Sequence, residues 1–188
     1  MSPAGSLFPA DFWGDDSPFS SPSSRLQGHR KLEKAFGIKL PESFLEVYRQ
    51  QQGRTQHRYV FPFLDDDGCL VDYLDFHLGR LAWIELNTGS SRGWGMPEKT
   101  IVIDTYEGHV AFALDYRNRK RVQEPSVIYI DCDGYLDRYG LPVETFEKEC
   151  RVVEIIRLGD SFDEFLSKLL TADELNARAA SSPHLINL

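Results

Sequence analysis

Cysteine is scarce in this chain and poorly placed for structure. The three cysteines are Cys69, Cys132 and Cys150, an odd number at wide spacings with no CxxC pair. That argues against a zinc ribbon or a disulfide scaffold and for a reducing, cytoplasmic setting. Long apolar runs are missing as well. A run such as Ile101-Val102-Ile103 is far short of the roughly 20 residues that cross a bilayer, so no membrane association is expected. The N-terminus shows neither the basic nor the apolar stretch of a secretory signal. Positive charge is also in deficit, with 21 Lys and Arg against 29 Asp and Glu and a net charge of −8. An acidic field repels phosphate backbones and argues against a direct nucleic-acid partner. It suits a basic protein, whose association complementary fields speed by roughly 10–1,000-fold, although the same charge also serves plain solubility.

Catalytic signatures are absent too. There is no GxSxG, P-loop, GxGxxG or HExxH. Cys132 and His109 fall on neighbouring predicted strands, but Asp131 and Asp133 flank the cysteine and blunt its thiol as a nucleophile. Asp131-Cys132-Asp133-Gly134 resembles the start of a calcium loop, yet its glycine comes fourth and Pro142 takes the twelfth position, where an EF-hand needs glycine sixth and glutamate twelfth. No pair among His29, His57, His77, His109 and His184 has helical metal-ligand spacing. No catalytic residue, metal or cofactor is therefore expected.

What is present reads as an α+β domain. Residues 1–24 form a Pro/Ser-rich arm without Lys or Arg. Its Phe8, Phe12, Trp13 and Phe19 are too apolar for a plain linker and are expected to dock on the domain or on a partner. The domain itself is placed at 25–172, with a tail over 173–188. Leu32, Ala35 and Phe36 mark the buried stripe of a first helix over Leu26–Phe36, ended by Gly37. Pro41 opens a second helix with Phe44, Val47 and Tyr48 inward, closed by Gly53.

The period then changes. His57–Phe63 and Val71–Phe76 read as strands around the turn Asp65-Asp66-Asp67-Gly68. Leu78–Leu86 reads as a short helix and Asn87–Pro97 as a Gly/Ser-rich loop holding Trp94. Thr100–Asp104 and His109–Asp115 form a hairpin about Tyr106-Glu107-Gly108, Ser126–Asp131 is a third strand, and Arg151–Arg157 reads as an edge strand. In the last helix, Ser161 and Glu164 fit a capping box, and Phe162, Phe165, Leu166, Leu169 and Leu170 repeat at helical spacing. A tail from Thr171 is expected to extend this helix.

Three segments in order resemble the SUKH superfamily, which includes a fungal cell-wall-synthesis regulator and many bacterial immunity proteins. They are Phe36-Gly37-Ile38-Lys39-Leu40-Pro41 with Phe44-Leu45-Glu46-Val47-Tyr48 and Gly53; Leu114-Asp115-Tyr116-Arg117 with Pro125-Ser126-Val127-Ile128-Tyr129-Ile130-Asp131; and Asp160-Ser161-Phe162-Asp163-Glu164-Phe165-Leu166. The resemblance spans about residues 26–170 and departs in the arm, over 132–150 and in the tail. It implies a central, mainly antiparallel sheet with N-terminal helices and a C-terminal helix packed against it. It also implies a non-enzymatic antitoxin that binds and blocks a toxin, often a basic nuclease. Gly37, Pro41, Phe44, Gly53, Phe162 and Phe165 are then structural. The acidic turns, Asp65, Asp66, Asp67, Tyr106, Glu107, Asp131, Asp133 and Asp137, are free for partner contact, on a monomer or weak homodimer. Two other functions fit the residues: a regulatory or scaffold module without a toxin, and a metal-dependent hydrolase built around Asp131, Asp133 and His109.

Overall fold

The computed structural model describes residues 28–50, 59–64, 66–78, 81–106, 108–118, 124–134, 136, 141–148 and 151–181. The arm over 1–24, Gly53, Asp65, Glu107 and Asp137 lie outside them. Among the described residues, five helices flank two antiparallel sheets. In chain order these are α1 (His29–Phe36), α2 (Glu42–Gln50), β1 (Tyr59–Leu64), β2 (Leu70–Phe76), α3 (Leu81–Arg92), β3 (Thr100–Tyr106), β4 (Val110–Asp115), β5 (Ser126–Asp131), β6 (Val143–Lys148), β7 (Arg151–Gly159), α4 (Phe162–Lys168), β8 (Leu170–Thr171) and α5 (Ala172–Ser181). The small sheet has the order β2-β1-β8 and the large one β3-β4-β5-β7-β6. The expected α+β class holds.

The junction between α1 and α2 follows the sequence reading. Gly37 takes left-handed backbone at φ 66° after α1, and its N–H donates to the Glu33 carbonyl. Pro41 sits one residue before α2, and its carbonyl accepts from the Leu45 N–H. Phe44, Val47 and Tyr48 are fully buried, as their spacing predicts. Ala35 is a correction to the α1 stripe, since it is exposed while Leu32 carries the burial. Tyr116, just past β4, donates its phenol to the Lys39 carbonyl at 2.6 Å and ties the α1–α2 connection to the large sheet.

An aromatic seam joins the layers. Phe44 meets Phe162 edge-on at 5.0 Å. Phe165 stacks on Phe61 of the small sheet at 5.9 Å. It also meets Phe76 at 5.1 Å and Phe112 of the large sheet at 5.8 Å. One core thus runs from α2 through both sheets to α4. The reverse face of the large sheet is buried too, with Val102, Ala111, Ala113, Ile128, Ile130, Val153 and Ile155 in a second cluster under Met96.

Four readings are corrected. First, α3 runs to Arg92, so half of the expected Gly/Ser-rich loop is helical. Tertiary contacts override the weak propensity of Asn87–Ser91, because the buried Thr88 hydroxyl accepts the Val102 N–H at 3.0 Å. Arg92 then donates to the Thr100 carbonyl at 2.8 Å, so α3 lies along β3 and covers that sheet edge. Second, β7 is an interior strand, flanked by β5 and β6. Third, the outer edge belongs to β6, within the stretch where the resemblance departs. Fourth, the last helix stops at Lys168. Leu169 turns extended at φ −67°, ψ 141°, Leu170 pairs with Val60, and α5 starts afresh with Leu175 buried on Val60 and Leu70. The capping box forms, but Glu164 reaches back to the Asp160 N–H rather than to that of Ser161.

The two sheets meet at a half-buried acid. Asp104 stands beside an irregularity in the β3–β4 register and accepts the His77 N–H at 2.8 Å. Burial pushes the Asp104 carboxyl above its ordinary value, and the His77 N–H offsets only part of that. A carboxyl raised on folding favours the native state below its unfolded value near 4, and that advantage is lost as pH rises through the folded value. Asp104→Asn is therefore expected to gain stability relative to the natural chain between pH 4 and pH 7. Urea titrations across that range measure it, and a difference independent of pH would refute the assignment.

Candidate partner-binding surface

The end of the large sheet at the β3–β4 turn presents a rim of aromatic groups with the exposed Asp133 beside it. Tyr106 closes β3 opposite Val110, and the Thr105 hydroxyl donates to the Val110 carbonyl at 2.8 Å. Gly108 makes the turn at φ 85°, and a Cβ there would lie 3.0 Å from Trp94 Nε1. Glycine is thus needed twice, for the backbone and for the indole lying against it. Trp94 arrives from the α3–β3 connection, whose Gly93, Trp94 and Gly95 N–H groups donate back to Ser90, Ser91 and Arg92.

His109 is the centre of the rim. Its ring lies 5.5 Å from Trp94 and 6.4 Å from Tyr106. Its Nε2 is 3.4 Å from Asp133 Oδ2. Its carbonyl accepts the Cys132 N–H at 3.0 Å, so the contact between these two residues that shapes the site is a backbone one. Tyr106 is 69% exposed and Trp94 38%, an arrangement open to a partner's side chains.

The residues expected to contact a partner fall into separate places. Tyr106, Asp131 and Asp133 share one end of the large sheet, because Val110 pairs with both Tyr106 and Asp131. Of these, Asp131 is buried. Its carboxylate accepts the Asp133 N–H at 2.7 Å and shapes the loop that holds Asp133 outward. Asp66 and Asp67 are exposed on the β1–β2 turn of the other sheet. Trp94 and His109 were not singled out for the rim. Only Gly108 hinted at them, as a turn glycine whose missing side chain admits a close neighbour.

At the far end of β4 lies a cleft of about 410 Å³ lined by Asp115, Arg117, Ile128, Val143, Glu144 and Arg157. Arg117 holds Asp115 through Nε and Nη2, each at 3.0 Å, and Glu144 at 2.7 and 3.0 Å. Burial alone would lower the Arg117 guanidinium, but these hydrogen bonds outweigh it and its pKa rises. With its donors so engaged, Arg117 is a strut rather than a ligand-binding cation. Among the described residues, no three His, Cys, Asp or Glu side chains are grouped so as to hold a metal ion, and no helix is long and apolar enough to cross a membrane.

A family model described as SMI1 / KNR4 family (SUKH-1) matches residues 30–168. The chain belongs to the SUKH-1 family. The match runs through 132–150, so β6 is part of the family domain. Comparisons with curated proteins and with solved structures gave no match. The rim, the cleft and the aromatic seam all fall on SUKH-1 residues.

Proposed function

We propose that this SUKH-1 chain is a non-enzymatic immunity protein that binds and neutralises a cognate, basic toxin of the nuclease type in the cytoplasm. The observation that carries the reading is the hairpin rim on a family domain: two accessible aromatics, Tyr106 and Trp94, each in ring contact with His109, whose Nε2 meets the exposed carboxylate of Asp133. Such a setting suits an incoming arginine, which stacks on an aromatic face while its fork meets a carboxylate. The net charge of −8 supports the same partner by steering a basic surface inward. Asp66 and Asp67 are proposed as outlying members of that acidic field, acting on association rate more than on residence.

Co-expression with the toxin encoded by a neighbouring gene tests the proposal. Growth is expected to be rescued and the two chains to copurify. Tyr106→Ala and Asp133→Asn together are expected to weaken capture at least tenfold, as loss of an interface anchor does, without changing the melting temperature. Neither rescue nor complex would overturn the antitoxin reading in favour of a regulatory module.

A further inference from the structure

We propose that β2 is a docking edge, which accepts an extended basic segment of the partner protein as an added strand. The proposal rests on the reading that the chain works by binding a protein, and it deepens that reading by naming a surface and the chemistry it recognises.

The first support is backbone geometry. Among the described residues, β2 is the terminal strand of the small sheet. Pro62 stands opposite Tyr73 in the register. Proline has no N–H, so the two cannot form a hydrogen-bonded pair, and the backbone groups of Tyr73 turn away from β1 to the outer edge. There the Tyr73 N–H donates to the carboxylate of its own neighbour Asp72 at 2.8 Å. A local side chain thus fills the place that an added strand's carbonyl would take.

The second support is the outer face of the same hairpin. α5 covers Val60 with Leu175. Beyond it Leu64, Val71 and Tyr73 remain 44%, 46% and 37% exposed. The register puts Tyr73, opposite Pro62, on the Val60 face, and the exposed Val71 stands at the register irregularity beside Leu70, so an added strand would find apolar neighbours already in place.

The third support is charge. From Tyr59 to Phe76 the chain has five aspartates and no lysine or arginine. Pairing β2 with β2 of a second copy would bring two such sets together, which like-charge repulsion across strands disfavours. The same aspartates attract a strand in which lysine or arginine alternates with apolar residues. Main-chain hydrogen bonds then supply affinity, and Val71, Tyr73 and the aspartates supply selectivity.

The full chain is titrated, at low salt, with three eight-residue peptides: alternating lysine and valine, alternating glutamate and valine, and a lysine–valine peptide with two central prolines. The lysine–valine peptide is expected to shift the amide resonances of Val71, Tyr73 and Asp75, and the other two are not. Val71→Lys with Tyr73→Lys, both at exposed positions the fold tolerates, is expected to weaken binding at least tenfold. Equal binding of the proline peptide would mean charge attraction without strand addition and would overturn the proposal. Shifts confined to other surfaces, or no binding, would do the same. No toxin enters this titration, so its failure leaves a growth rescue standing, and a failed rescue leaves the β2 edge standing.

Discussion

Phe165→Ala is expected to cost about 3–5 kcal/mol of stability, the range for emptying a buried phenylalanine site. For a chain of this length that corresponds to a fall in melting temperature on the order of 10 °C. The argument rests on position. Phe165 is fully buried and touches the ring of Phe61 in one sheet and that of Phe112 in the other. Phe162 and Phe76 close the ring around it. Neighbours drawn from two sheets and a helix cannot all move inward to fill the hole, so the cavity term is retained. Urea unfolding followed by circular dichroism measures the loss. A cost under 1 kcal/mol would show that the seam is not the joint between the sheets.

Arg117→Ala is expected to cost about 3 kcal/mol, because it strands a buried carboxylate. The Asp115 side chain is 4% exposed, and its remaining acceptor bond in the described structure is to the Arg117 backbone N–H at 2.9 Å. Glu144 matters less, because its side chain is 56% exposed and solvent screens such a partner. The double variant Arg117→Met with Asp115→Asn removes both charges and is expected to recover most of the loss. If the single and double variants unfold at the same urea concentration, the loss does not come from stranding the Asp115 carboxylate.

The sequence was informative wherever one local rule decided the outcome. Gly37 and the buried Phe44, Val47 and Tyr48 needed only helix period and a left-handed glycine. Thr100–Asp104 and Ser126–Asp131 needed only β-branched runs. Where distant residues decided it, the local pattern misled. Asn87–Ser91 is helical because Thr88 meets β3, which no window of neighbouring residues contains. In the sequence of β6, Glu144, Thr145, Glu147 and Lys148 are interleaved with only Val143 and Phe146, and it is a strand because β7 lies beside it. Leu169 and Leu170 continue the apolar spacing of α4 and also suit a strand, and pairing with Val60 settled which. The hairpin rim was half legible. Turn chemistry pointed to Tyr106 and Asp133. His109 lies in that same turn, but its role there shows only through Trp94, which the α3–β3 connection brings against it.

The pairing of β8 with β1 also sets a timetable. Leu170 and Thr171 lie some 110 residues beyond Val60 and Tyr59, their partners in the small sheet. A ribosome adding roughly 5–20 residues per second exposes β1 several seconds before its last neighbour exists. Phe165, the centre of the seam, emerges almost as late. Nascent chains still lacking these residues have neither the finished small sheet nor its α5 cover. A nascent copy therefore has its finished small sheet and its aromatic seam only after the segment from Phe165 to Thr171 has emerged, and the two are completed almost together.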